Sequence, residues 1–400
     1  MGLVKLFLPL LCGALTGFMA YGYAEPERLA LSALLPLAWV FCNRRSYAAA
    51  FIFAYYALAS RGVPAGGAVF FGSEAPLVFP SVLWLLSAAA LTLPWVVLWT
   101  GEKSFGTVFL RLFLIFIIIS IPPIGLFGWA SPLLSVGFLL PGSGWAGLVG
   151  FPIIIALMPV IANNKYRRRA LLCVAAIIIS FTALYPHVRP KETDGITGID
   201  TNYGRVASGS ARFTDAFIRT SDIAARVLSK EPAYVLVPET VAGTWIEATE
   251  IFWSGLASLL KKRGQTLIVG AEIYDFTGKY DNCMLFLGYD GEKRYRQRVP
   301  VPISMWRPFG GLGTANAYWF DSGVVELADG RRAAMLICYE QFLVWPILLS
   351  FANPFSPPDM IIASANQWWC KETSIPEIQL QSSAAWARLF NIPLVSATNK

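Results

Sequence analysis

Long apolar runs with almost no charge fill the chain from Leu3 to Pro186, and from His187 onward charges, turn residues and short apolar segments alternate. A helix that crosses lipid needs roughly 20 predominantly apolar residues, because hydrocarbon offers no outside partner to a backbone N–H or C=O. By that measure the pattern predicts seven spans, near 4–24, 29–42, 47–60, 79–99, 105–127, 143–161 and 170–186, the second and third of them short. Between the fifth and sixth, "GWASPLLSVGFLLPG" (128–142) carries too many turn residues to span and is expected to lie along the interface. The first run has the length of a signal peptide, but no small-residue cleavage site stands out and six further runs follow, so it is expected to stay.

In the second half the period changes. "YVLVPE" (234–239), "TLIVGAEIY" (266–274), "NCMLFLGYD" (282–290), "RRAAMLIC" (331–338) and "DMIIASA" (359–365) are β-branched or apolar and bounded by Gly, Pro or Asp, which predicts strands. Segments 208–230, 245–263 and 376–391 carry helical spacing. Strands and helices mixed in this order predict an α/β domain with sheets buried under helices. The organisation expected is a transmembrane domain over 1–186 and a second domain over 187–400.

Composition agrees with lipid contact: 56% of the 400 residues are hydrophobic and the mean hydropathy is +0.54. Charge then sets orientation, because Lys and Arg collect in cytoplasmic loops. "NNKYRRR" (163–169), "NRR" (43–45) and "GEKS" (101–104) are the basic clusters of the first half, and with all three inside, seven crossings deliver the part after His187 to the far face. The expected location is the inner, cytoplasmic membrane, multi-pass, with the C-terminal domain periplasmic. Basic clusters beside spans are topology signals, so no nucleic-acid contact is expected; the net charge of +7 suits anionic headgroups instead. Arg111 is the one clear ionisable residue within the spans and sits where it can snorkel, which makes the bundle an anchor or lipid-facing platform rather than a transporter.

The candidate chemistry is narrow. The chain has a single His, His187, ahead of every predicted strand, and the six Cys (Cys12, Cys42, Cys173, Cys283, Cys338, Cys370) show no CxxC spacing, so neither an imidazole-assisted site nor a zinc site is expected and no cofactor is implied. A nucleophile has to be activated without imidazole, and a carboxylate can do this. Glu239 ends a predicted strand, Cys338 ends another, and Glu340 follows Cys338 by two residues. A Glu in a partly apolar site has a raised pKa and takes a proton from a thiol, whose thiolate then attacks a carbonyl. Taken alone, a buried core thiol is the ordinary alternative for Cys338. Cys370 in "QWWCKE" is a second thiol read as packing, and Trp368 and Trp369 either line an acyl site or dip into the interface.

"VLVPET", "YRQRVPVP", "LICYE" and the segment running from "ASANQWW" to "NIPLVSATNK" resemble successive blocks of the carbon–nitrogen hydrolase (nitrilase) superfamily. With the apolar first half, the chain resembles the membrane branch of that superfamily, the apolipoprotein N-acyltransferases, and "TNYGR" with "YRQRVPVPISMW" is similar to members linked to conjugal plasmid transfer. The resemblance implies a multi-pass α-helical membrane domain followed by an α/β domain, an αββα sandwich. It implies Glu239 as general base, Cys338 as nucleophile and Glu340 in support. The implied reaction forms a thioester acyl-enzyme from a membrane phospholipid as acyl donor, for transfer to an amine or lipoprotein-like acceptor.

Two positions depart from that pattern. Gln297 stands where the family has a catalytic Lys, and Met305 stands where a Glu closes the same block. A Lys there stabilises a developing oxyanion, worth about 3 kcal/mol for a single donor. Lys293 shares the strand face of Gln297 but lies about 13 Å back at ~3.3 Å per residue, and Arg298 reaches the site only if the strand breaks at Pro300. The family also continues past "ATN" with further strand and a closing helix, which this sequence is expected to lack. The alternative reading is therefore a catalytically impaired relative that binds a lipid or peptide without turnover.

Overall fold

The computed structural model describes residues 2–72, 77–162, 168, 171, 194–207 and 209–400. The expected seventh span at 170–186, His187, Cys173 and the basic cluster at 163–169 lie outside the described residues, apart from Arg168 and Leu171. Two compact units are present. The first takes in the described residues of Met1–Pro190 with Phe342–Trp345 and Glu372–Asn391; the second takes in those of Lys191–Gln341 with Pro346–Lys371 and Ile392–Lys400.

The first unit is helical: α1 (Gly2–Ala20), α2 (Leu34–Phe41), α3 (Arg45–Ala59), α4 (Val63–Phe71), α5 (Val78–Val97), α6 (Phe105–Ser120), α7 (Val136–Leu139) and α8 (Gly144–Ala162). Two of these, α5 and α8, are long and apolar enough to cross a membrane, with α1 and α6 shorter apolar helices. The expected span at 29–42 is instead a 3-10 segment, Pro26–Ala33, followed by eight helical residues. Pro36, which has no N–H to give the Ser32 carbonyl, keeps the α-helix from extending back through that segment. The span expected at 105–127 ends at Ser120, because Pro122 disfavours helical backbone at Ile121. The short helix α4 had no counterpart in the expected spans. Segment 128–142 was expected along an interface; Leu133, Leu134 and Val136 are buried within the unit. Helices α1 and α3 approach closely because Gly13 and Gly17, one turn apart, lie against the Phe51 and Tyr55 carbonyls, where any side chain would overlap backbone. Arg111 donates to the Leu98 and Trp99 carbonyls at 3.2 and 3.0 Å.

The second unit holds two sheets. Strands β1 (Ile196–Gly198), β2 (Tyr234–Leu236), β3 (Thr266–Tyr274), β4 (Tyr280–Gly288) and β5 (Arg294–Arg296) form a five-stranded sheet in sequence order, with β1, β2 and β3 parallel and β4 and β5 antiparallel. Strands β6 (Val324–Glu326), β7 (Arg332–Ile337), β8 (Met360–Asn366) and β9 (Leu394–Asn399) form a four-stranded sheet, with β7, β8 and β9 parallel. All five strands expected from the pattern are present, β2 over only three residues; of those not expected, β1, β5 and β6 are three residues long and leave no period to read, and β9 runs over six.

The alternation assigns faces. Leu236, Ile268, Met284, Phe286 and Tyr295 from the first sheet pack with Met335, Ile337, Ile362 and Val395 from the second in one core. Val235, Leu267, Val269, Cys283 and Leu285 face the opposite way and pack with Ile223, Val227, Trp253 and Leu260. Those last four belong to the helices α9 (Arg212–Leu228) and α10 (Glu247–Lys262). Helix α10 carries Glu247 and Glu250 in its first turn and Lys261 and Lys262 in its last, each complementing the helix dipole. Helix α11 (Val344–Ser350) follows the turn after β7, and α12 (Ile375–Phe390) ends at Asn391, held left-handed at φ +53. Asn tolerates that conformation better than other non-glycine residues.

Candidate active site

Glu239 and Cys338 arrive from different sheets. Val237, Pro238 and Glu239 run on from β2, and Gly270 on the neighbouring β3 lets them lie close: a side chain there would fall 2.5 Å from the Glu239 Cα. Cys338 directly follows β7 and opens the 3-10 turn Cys338–Phe342 with φ +48. A non-glycine residue held there carries backbone strain that the surrounding contacts have to offset, and it presents its side chain at the sheet end.

The two side chains meet. The Cys338 thiol and the Glu239 carboxyl share a hydrogen bond, and both residues are buried, at 8% and 3% exposure. Glu239 Oε1 accepts from Asn282 Nδ2 at 2.6 Å, and Oε2 accepts from the Asn366 backbone N–H at 2.8 Å. Burial raises the Glu239 carboxyl to about 7 against the pull of these donors. Burial also raises the Cys338 thiol, and the nearby Glu239 and Cys370 push it further up. The resting pair is a thiol beside a carboxyl poised to take its proton.

Gln297, 1% exposed, lies in the same network. Its Oε1 accepts from Asn282 Nδ2 at 2.9 Å and its Nε2 donates to the Ile337 carbonyl at 3.0 Å. The Gln297 amide is thus spent on the residue before Cys338. Lys293 pairs with Asp290 at 2.7 Å, and Arg298 turns toward Glu340.

Glu340 does not share the hydrogen bond of the reactive pair. Wholly buried, it accepts from the backbone N–H groups of Ile337 at 2.7 Å, Arg298 at 2.6 Å and Val299 at 3.2 Å, and from the Tyr295 hydroxyl at 2.8 Å. Arg298 Nε lies 3.5 Å from its carboxylate, while the guanidinium also donates to the carbonyls of Pro346, Ser322 and Met335. Glu340 therefore ties the strand end before Cys338 to the segment after β5.

Asn282 and Asn366 were not singled out in the sequence. Asn282 is legible in hindsight as a polar residue on the apolar inter-sheet face of β4, two positions from Met284. Asn366 has no such signal, since the contact depends on its backbone N–H. Asn366 Nδ2 also donates to Thr240 Oγ1 at 2.6 Å, and Asn399 Nδ2 donates to Asn366 Oδ1 at 2.9 Å. Trp369 Nε1 donates to the Asn366 carbonyl at 3.2 Å, and Arg205 stacks over Trp368. Cys370 is buried, its N–H bonded to the Gln367 carbonyl. Among the described residues no group of His, Cys, Asp and Glu is arranged to hold a metal ion.

Fold and site together define an α/β protein with two facing sheets whose ends bring a thiol and a carboxyl into one buried hydrogen-bonded pair. The chain is 34% identical to the conjugal transfer protein TraB of Agrobacterium fabrum, covering 95% of this chain and 90% of that protein. It is likewise 34% identical to the probable conjugal transfer protein TraB of Sinorhizobium fredii, covering 96% and 94%. It belongs to the family of TraB conjugal transfer proteins. No protein-family model matches the chain. Among solved structures, a mutant of the nitrilase-superfamily amidase from Nesterenkonia AN1 is similar at 16% identity, over 51% of this chain and 75% of that one, with a TM-score of 0.37. A second structure of an amidase from Nesterenkonia matches with a TM-score of 0.36, at 16% identity over 51% and 75%.

Proposed function

We propose that this chain is a membrane-bound enzyme of the carbon–nitrogen hydrolase type, an acyltransferase or amidase that works through a thioester on Cys338 and serves conjugal plasmid transfer. The observation that carries the reading is the hydrogen bond between the Cys338 thiol and the Glu239 carboxyl. Glu239 takes the thiol proton, the thiolate attacks an acyl carbonyl, and Glu239 returns the proton to the departing group. Water or an amine then attacks the thioester, giving up a proton that passes through Glu239 to the sulfur. A phospholipid is the proposed acyl donor and an amine or lipoprotein-like group the acceptor; the apolar helices of the first unit support a donor drawn from lipid. The proposed placement is the inner membrane, with the second domain periplasmic, supported by the basic residues at 43–45 and 101–104.

A second reading has one observation in its favour. The Gln297 amide is committed to the Ile337 carbonyl and offers no charge to an oxyanion, which suits a relative that binds a lipid or peptide without turnover. Incubation of the purified protein with phospholipid, followed by mass spectrometry of the Cys338 peptide, separates the two. An acyl mass on Cys338 that is absent in Glu239→Gln supports the enzyme; an unmodified peptide in a protein that retains bound lipid supports the binder.

A further inference from the structure

The site at Cys338 is rich in acceptors and poor in cations. Asn282 Nδ2 donates both to Glu239 and to Gln297, and that amide orientation is fixed from outside, since Gln297 has to give its own donor to the Ile337 carbonyl. Asn282 Oδ1 is left buried with no hydrogen-bond partner, on a residue 2% exposed. A buried acceptor without a donor costs about 1–3 kcal/mol, so it marks a place where a donor belongs.

A second carboxylate shares that face. Glu272 stands directly opposite Asn282 in the β3–β4 register, and since Ile268 and Met284 face between the sheets, the period of two points Glu272 and Asn282 the same way. Burial raises the Glu272 carboxyl, and Arg212 at the start of α9 opposes that rise. The remaining charged or titratable neighbours are Tyr274, Tyr280 and the exposed Arg307, while Arg298 is sealed against Glu340. Among the described residues no ion pair joins a cation to Glu239, and the neighbouring Gln297 is uncharged.

We infer that the substrate supplies the missing cation: the site takes a molecule whose protonated amine lies within a few bonds of the reacting carbonyl, held by Glu239, Glu272 and Asn282 Oδ1. This rests on Cys338 and Glu239 being the reactive pair. Charge-selective thiol reagents test it on the full-length protein in detergent at pH 8. Aminoethyl, sulfonatoethyl and methyl methanethiosulfonate each transfer a thioalkyl group to sulfur and release methanesulfinic acid, and the Cys338 peptide is followed by mass spectrometry. After correction for rates with free cysteine, the cationic reagent is expected to outpace the anionic one about tenfold, a difference of ~1.4 kcal/mol. Glu272→Gln is expected to cut that preference, read as the ratio of the cationic to the anionic rate within the variant, to about a third, a change of ~0.7 kcal/mol. Gln297→Lys, which leaves Glu272 in place, is expected to abolish the preference. Equal rates for the two charged reagents, or a preference that Glu272→Gln leaves undiminished, overturn the inference. A neutral reagent that labels Cys338 no faster than free cysteine, with Glu239→Gln making no difference, instead overturns the reading beneath it.

Discussion

The buried Glu239 carboxyl carries a measurable cost. Its carboxyl is raised by burial to about 7 in the folded protein, against about 4.5 when exposed. The unfolded chain therefore ionises first, and stability that is complete below pH ~4.5 is lost as pH rises through ~7, by about 3 kcal/mol for a shift of this size. Denaturant unfolding followed from pH 5 to 8 is expected to show this downward slope, and Glu239→Gln is expected to flatten it; parallel curves for the two proteins contradict the raised carboxyl. The placement of Glu239 and Cys338 at strand ends was legible in the sequence because each closes an apolar strand-like run. Glu340 was legible too, but its position was not: a carboxylate two residues from the thiol reads as a partner of the reaction, and only the fold turns it toward Arg298. Asn282 was hidden because a single polar residue in "NCMLFLGYD" changes the strand pattern little, and its meaning comes from Glu239, 43 residues earlier.

At the scale of elements, the turn after β7 is held by a buried ion pair. Arg298 and Glu340 are both fully buried, and through the Ile337 N–H their pairing fixes the strand end that presents Cys338. Removing one partner of such a pair leaves an uncompensated charge and costs about 3–5 kcal/mol. Arg298→Met is expected to lose that much in equilibrium unfolding; a loss below about 1 kcal/mol contradicts the clamp, since that is the range of an exposed pair. The long strands β3 and β4 were readable from apolar content and bounding Gly and Asp. The three-residue strands β1, β5 and β6 were not, because their pairing is decided by neighbours: β5 exists by its register with β4 and β6 by its register with β7. Helix lengths in the first unit were misread where hydropathy ran past a proline, as at Pro122, since composition averages over a residue that backbone sterics cannot ignore.

For the whole molecule, the division into an apolar helical unit and an α/β unit follows from the change of period near His187, but the path of the chain does not. Phe342–Trp345 and Glu372–Asn391 belong to the helical unit although they lie among strands in sequence. Local periodicity holds no information about which unit an amphipathic helix joins. The membrane reading predicts that the protein sediments with the membrane fraction and resists extraction by alkaline carbonate; release into the supernatant contradicts it. The account as a whole turns on proton transfer from Cys338 to Glu239, and the most direct measurement of it is the rate of Cys338 alkylation by iodoacetamide as a function of pH. The rate is expected to rise to a plateau with a midpoint near 7, where Glu239 ionises, and to fall about a hundredfold in Glu239→Gln. A rate that climbs only above pH ~8.5, as for a free thiol, and climbs alike in both proteins contradicts the account.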